Sequence, residues 1–412
     1  MHSTDRLHGL DAVRAFALLL GIALHAAQPY IAGLPWIVIE TPSDTLAGVW
    51  YTIHMFRMPL FFLIAGFFGR MLLERRGPAA FVKDRSRRIL VPLVAGLPIV
   101  MLVTGLAMAL GVLAAGGDLA SIKPPQAPPG TVRGGVLGSI NLIHLWFLYY
   151  LALFYAGVLI VRAVCSTALG AKGRLHAAVD ATIRFLMRGA WGPVTLALPI
   201  AAYYAQLDNW STWGGWPAPF SLVPDVGALI AYGSFFGFGW LLHRQLPLLK
   251  ALEQRWPLYC VFAVAMWAVC RTIGGSTPHG GPYLEGGALV AYTMSYVVGA
   301  WCWSFALIGL ALRFLSGESP VRRYLADSSY WLYLMHIPAL FFFEQVLHPL
   351  AWHWSIKYPL SVAAATGVLL LSYHYLVRFT FIGALLNGWK QRSSREVGRD
   401  SRGRWTSRTP AG

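Results

Sequence analysis

The stretch LDAVRAFALLLGIALHAAQPYI, residues 10–31, is long and apolar enough to cross a bilayer, which takes about 20 residues of helix. It nevertheless carries Arg14 and His25 inside the run. An arginine at the centre of a membrane helix costs roughly 2.5–3.5 kcal/mol even on the most lenient scale, so such a residue marks a functional site by default. Positions eleven apart return to nearly the same helix face, about 16 Å along the axis, so Arg14 and His25 form one polar stripe. Asp11, one turn before Arg14, is placed to pair with it. The bland alternative is an arginine that snorkels to the interface and a histidine satisfied by a backbone carbonyl.

The rest of the chain has the composition of a polytopic membrane protein. Of its 412 residues 57% are hydrophobic and 12% are charged, and the mean hydropathy is +0.55. Soluble domains carry about 25% charged residues. Seventeen Trp and eighteen Tyr suit a protein that anchors at two membrane–water interfaces. Cys165, Cys260, Cys270 and Cys302 show no CxxC spacing, which indicates neither a zinc site nor a disulfide framework. The first apolar run lacks a small-residue cleavage site, so it is expected to stay as a helix.

The expected fold is all-α, with about ten transmembrane helices near 10–31, 48–72, 89–115, 141–163, 193–207, 224–242, 256–273, 287–312, 328–347 and 358–386. Residues 1–387 form the transmembrane domain, and 388–412 a basic cytoplasmic tail expected to be disordered. The connecting segments divide into two sets. One holds ERRGPAAFVKDRSRR, AKGRLHAAVDATIRFLMR, LHRQLPLLKALEQR, ESPVRRY and the tail. The other is rich in aromatic residues and carries Lys123, Arg133, Arg271 and Lys357 as its basic residues. The positive-inside rule then places both termini in the cytoplasm. Topology, not nucleic-acid binding, accounts for most of the formal charge of +16, and the tail is expected to lie near anionic membrane lipid.

The second helix strengthens the functional reading of the first. IHMFRMPLFFLIAG sets His54 and Arg57 three apart, hence on one face. Because this helix runs the other way, His54 lies at about the depth of His25, and Arg57 is too deep to snorkel easily. Two histidines and an inner arginine at matching depth point to a hydrated cavity. His144 and His336 also fall in apolar runs, where a structural role is the simpler expectation. No HExxH, no GxSxG elbow and no metal-ligand set accompanies these histidines, so no metal is expected. An imidazole with nearby arginines suits general-base chemistry on a hydroxyl and binding of an anionic partner. A transporter or flippase of an anionic or lipid-linked solute would use similar residue types, though usually with intramembrane carboxylates and broken helices.

The spacing Arg14, ten residues, His25 resembles the R-x10-H signature of the membrane acyltransferase 3 family. Further pieces resemble that family in the same order: FRMPLFFLIAGFF, FVKDRSRRILVPL, HLWFLYYLALFY and SSYWLYLMHIPALFFF. The likeness runs from about residue 8 to residue 385. Within the family, the IHMFRM, IHLWFL and ninth-helix runs look most like the glucan biosynthesis protein C group, taken to succinylate periplasmic glucans.

The resemblance implies a multi-pass protein of the bacterial inner membrane. It implies a cytoplasmic acyl-CoA donor, with succinyl-CoA favoured, and no permanently bound cofactor. The acceptor would be a hydroxyl of a periplasmic glucan or another extracytoplasmic carbohydrate. His25 would be the catalytic histidine, as base or transient acyl carrier, and Arg14 would face the donor. Arg85 and Arg88 match the family's RxxR pair. His54, as a second catalytic histidine, and Arg57, as a substrate-binding residue, follow from depth and the second-helix match. No appended SGNH-hydrolase-like domain is expected, so the membrane domain is expected to deliver the acyl group itself or through a partner. Trp210, Trp213, Trp216, Trp352 and Trp354 are candidate surfaces for stacking sugars, or else an interfacial belt.

Overall fold

Helix is the only backbone arrangement that lets an isolated apolar segment satisfy its own hydrogen bonds in hydrocarbon, and every apolar segment predicted above is helical. The structure, a computed structural model, describes residues 8–121, 138–168, 172–207, 210, 213–276, 278, 284–387, 397–399 and 405–407. Lys123 and Arg133 lie outside the described residues, as does most of the basic tail.

The helices are α1 (His8–Ala27), α2 (Asp44–Arg85), α3 (Val91–Ala114), α4 (Trp146–Ala168), α5 (Lys172–Leu186) and α6 (Gly192–Tyr204). They continue with α7 (Val226–Leu242), α8 (Pro247–Gly274), α9 (Gly286–Phe314), α10 (Pro320–Leu347), α11 (Trp354–Ser372) and α12 (Phe381–Asn387). In the tail, Val397–Arg399 and Trp405–Ser407 pair as two short antiparallel strands.

Among the described residues, six helical stretches are long and apolar enough to cross a membrane: His8–Tyr30, Asp44–Ala114, Ile143–Val164, Pro247–Gly274, Gly286–Phe314 and Trp354–Val377. The second contains two of the predicted spans. The other predicted segments fall short by that measure for identifiable reasons. With 13 residues, α6 rises about 20 Å, against a hydrocarbon core of about 30 Å. α7 has 17 residues, and α10 is long enough but its apolar run is diluted by Ser328, Ser329, His336, Glu344 and Gln345.

α2 is two helices in one. Gly77 takes φ 77° and ψ 171° in front of Pro78, a conformation open to glycine, and the helix kinks there. Beyond the kink, helix continues through Arg85 into a π-helical turn at Ser86–Leu90 that leads into α3. The basic segment between the second and third predicted spans is therefore helical, with Phe81 and Ile89 buried and Arg76, Lys83 and Arg87 exposed.

α1 lies inside the bundle and packs against α2, α9, α10 and α11. Its pairing with α2 is antiparallel: Arg14 lies over the Phe68 ring, while Ala17 meets Arg57. The contact of α2 with α7 is closer still. A methyl group on Gly66 would strike the Phe236 carbonyl, and one on Gly239 would strike the Leu63 carbonyl. This reciprocal small-residue contact brings the two backbones together, as is usual where apolar lipid offers no hydrophobic drive between helices.

Candidate active site

The two polar faces predicted on α1 and α2 meet, and α10 and the residues before α4 complete the arrangement. Arg57 is 8% exposed, and its Nε donates to the Ala17 carbonyl of α1 at 3.3 Å. Its guanidinium lies within electrostatic reach of His25, His54, His144 and His336, and of Tyr232 and Tyr333. Among the described residues no carboxylate pairs with it. A buried cation surrounded by neutral aromatic rings is costly and well prepared for an incoming anion.

The histidines are oriented by specific partners. The His25 ring is half-buried, and its Nδ1 lies 2.5 Å from Gln28 Oε1. With Nδ1–H donating to that oxygen, Nε2 is left as the basic nitrogen. His336 donates from Nδ1 to the Tyr333 carbonyl at 2.7 Å, and its Nε2 has no partner. His144 donates from Nε2 to the Leu334 carbonyl at 3.2 Å, and its Nδ1 has none. The His336 ring centroid is 5.1 Å from that of His25 and 4.8 Å from that of His144. His144 and His336 thus bind backbone carbonyls, as structural histidines do, yet each keeps a free ring nitrogen inside the cluster. His54 stacks on Trp50 at 4.4 Å, with Nδ1 3.4 Å from the Tyr296 hydroxyl. Among the described residues no group of three or more His, Cys, Asp or Glu side chains is arranged to hold a metal ion.

A second cluster gathers the other predicted arginines. Arg14 Nη2 is 3.4 Å from Asp11 Oδ1, the pairing anticipated from their spacing. Asp84 holds both Arg85, at 3.2 Å, and Arg88, at 3.3 Å. Arg85 also lies over the Phe81 and Tyr155 rings. Arg14 and Arg85 are both within electrostatic reach of Arg88, so the three cations converge. The side chains of Arg14, Arg85 and Arg88 are 39%, 23% and 38% exposed, so none is freely solvated and Arg14 is no more enclosed than the pair.

α10 joins the clusters. Tyr330, Tyr333 and His336 lie three apart along α10, the rings of each successive pair 6.2 Å apart between centroids. The Tyr330 hydroxyl donates to the Arg88 carbonyl, the Tyr333 hydroxyl donates to the His144 carbonyl at 2.8 Å, and His336 meets His25. Six residues rise about 9 Å, so this row of rings runs from the arginines toward the histidines. The sequence reading passed over Tyr330 and Tyr333, although their i, i+3, i+6 spacing with His336 was visible.

It also passed over Trp36. The Trp36 ring lies in an offset stack on His25, with centroids 5.8 Å apart and planes 10° from parallel. Its Nε1–H donates to Glu344 Oε2 at 2.7 Å. Of the five tryptophans expected to present sugar-stacking surfaces, Trp210, Trp213 and Trp216 are instead buried in the core. Trp216 donates to the Met55 carbonyl at 2.8 Å, and Trp213 stacks on Trp50 at 5.1 Å. They form neither an open platform nor an interfacial belt. Trp352 is exposed and Trp354 half-buried.

Comparison with known proteins gives a consistent picture. A family model described as an acyltransferase domain matches residues 7–374. The Glucans biosynthesis protein C of Escherichia coli O1:K1 / APEC is 24% identical over 390 residues, covering 93% of this chain and 95% of that protein. The protein of that name from Shigella dysenteriae serotype 1 (strain Sd197) is 24% identical over 395 residues, with the same coverage. No solved structure matches.

Proposed function

The chain belongs to the acyltransferase 3 family, whose model it matches over residues 7–374, and on that premise we propose that it moves a succinyl group from acyl-CoA to a hydroxyl of a periplasmic glucan. That it is a multi-pass membrane acyltransferase follows from the family match and the apolar helices. The donor, the acceptor, the ten crossings with both termini cytoplasmic, and the inner-membrane location are parts of the proposal.

One observation carries the reading: Arg57 is a buried guanidinium without a carboxylate partner among the described residues, set among imidazoles. Succinyl is an acyl group with a free carboxylate, and a guanidinium meets a carboxylate in a charge-assisted pair. The likeness to proteins named Glucans biosynthesis protein C, at 24% identity, supports a glucan as the acceptor.

In the proposed reaction His25 Nε2 takes the proton of the acceptor hydroxyl while the oxygen attacks the thioester carbonyl. The carbon–sulfur bond then breaks, and the CoA thiolate leaves with the proton returned by His25. Gln28 holds the tautomer this needs. His54 lies in the same electrostatic neighbourhood and serves as the second histidine of the site. Arg14, Arg85 and Arg88 hold the anionic part of CoA, and the acyl arm follows the Tyr330–Tyr333 face toward His25.

The test is turnover of labelled succinyl-CoA by the purified protein in detergent, followed by mass analysis of a glucose oligomer supplied as acceptor. Ester formation that requires His25 supports the reading. A transporter has no compartments in detergent and would leave succinyl-CoA intact.

A further inference from the structure

Between α1 and α2, residues 31–43 have no long helix or strand to fix their path, yet they are held at two points. The first is the indole of Trp36. Besides its bond to Glu344, it meets Phe341 edge-on at 5.1 Å and packs beside Met108 and Ile337. Glu344 is 5% exposed, and its Oε1 has no partner. The second is Glu40. Lys357 Nζ donates to both of its carboxylate oxygens at 2.9 Å, and the Glu40 backbone N–H donates to the Pro29 carbonyl at 2.9 Å. Lys357 is 3% exposed, so this ion pair is enclosed and holds a defined geometry.

What the segment covers is His25. Trp36 lies over one face of the imidazole, His336 flanks it, and Gln28 occupies Nδ1. An acyl-transfer site open to water has a competing reaction. Water attacks the same thioester carbonyl, the carbon–sulfur bond breaks, and CoA thiol and a free carboxylic acid result. A nonpolar ring placed on the base restricts that route.

We propose that Trp36 decides between acceptor and water at His25, and that Glu344 is the positioning residue that holds Trp36 in place. The inference rests on acyl transfer at His25 as set out above. Glu344 touches the indole, not the reacting atoms, and its effect passes through the Trp36 N–H.

The experiment measures CoA thiol release from succinyl-CoA by the purified full-length protein, with and without a glucose oligomer. The His25→Ala variant supplies the background. Trp36→Ala should raise acceptor-free, His25-dependent release about tenfold or more, and lower the share of acyl groups that reach the oligomer. Glu344→Ala should act in the same direction. Glu344→Gln keeps an oxygen that accepts the indole N–H and should stay near the parent protein. Trp36→Phe keeps a ring without the donor and should fall between. Trp36→Leu, which keeps apolar bulk but cannot stack or donate, is read alongside should the alanine variant fail to fold.

Acceptor-free release that is unchanged or lowered across Trp36→Ala, Trp36→Leu and Glu344→Ala would overturn the proposal. So would equal loss of both reactions in Glu344→Gln, because that outcome makes Glu344 a structural group. Failure of the underlying reading looks different: the parent protein itself would release no thiol above the His25→Ala background.

Discussion

Arg57 occupies the space beside Gly21: a methyl group on Gly21 would lie 2.7 Å from Arg57 Nη2. The glycine on α1 is therefore what lets the arginine of α2 sit between the helices at this depth. Gly21→Ala should displace the guanidinium and lower succinyl-transfer kcat/KM by roughly ten- to a hundredfold, the scale of an ångström-sized misplacement. Unaltered kinetics in a well-folded Gly21→Ala protein would show that the position of Arg57 does not matter to turnover.

Arg57→Leu removes a buried cation without stranding a partner charge, so the protein should still fold. Transfer of succinyl should fall by roughly 10- to 100-fold, and transfer of acetyl far less, because acetyl has no carboxylate to meet the guanidinium. The comparison is kcat/KM for the two donors in one preparation. Equal losses would assign Arg57 to CoA or to structure.

Arg14→Ala and the Arg85→Ala/Arg88→Ala double variant should both weaken donor binding. In a fully solvated connecting segment Arg85 and Arg88 would make the double variant's defect the more salt-sensitive. The structure puts Arg14 and Arg88 at nearly equal exposure, with Arg85 more enclosed, so the two defects should respond alike to ionic strength. Donor affinity measured from low to high salt decides between these outcomes.

Gly239→Ala should separate α2 from α7, because the added methyl group meets the Leu63 carbonyl, a backbone atom that cannot rotate away. The expected cost is about 1–3 kcal/mol, the range for overpacking. Thermal denaturation in detergent reads it, and an unchanged midpoint would mean that the helices cross elsewhere.

α5 is fastened to the turn after α7 by Arg244, which donates to both Asp180 oxygens at 2.8 and 2.7 Å. These hydrogen bonds hold the Asp180 carboxyl below the usual carboxylate range. A depressed folded-state value means the contribution is complete above the unfolded pKa of about 3.9 and is lost as pH falls through the folded value. The attachment should be worth roughly 1 kcal/mol and weaken only in strong acid. Asp180→Asn should remove that acid-dependent component of α5 proteolytic protection; a parent protein whose α5 is equally protected at every pH would contradict the assignment.

Local pattern carried much of this protein. Twenty-residue apolar runs become helices because hydrocarbon leaves the backbone no other partner, so every predicted segment is helical. Helical period set Arg14 and His25 on one stripe, His54 and Arg57 on another, and paired Asp11 with Arg14. Those relations lie within a few turns of a single helix, where geometry follows from residue spacing. Packing decided the rest. Trp36 and Glu344 are 308 positions apart, and nothing in the spacing of either reveals that one donates to the other. The gathering of His144 and His336 around His25, and the burial of Trp210, Trp213 and Trp216, depend likewise on which helix faces meet. Periodicity orients a side chain about its own helix axis, whereas contact between helices is settled by backbone approach, such as Gly66 and Gly239 permit, and that is a property of the assembled bundle.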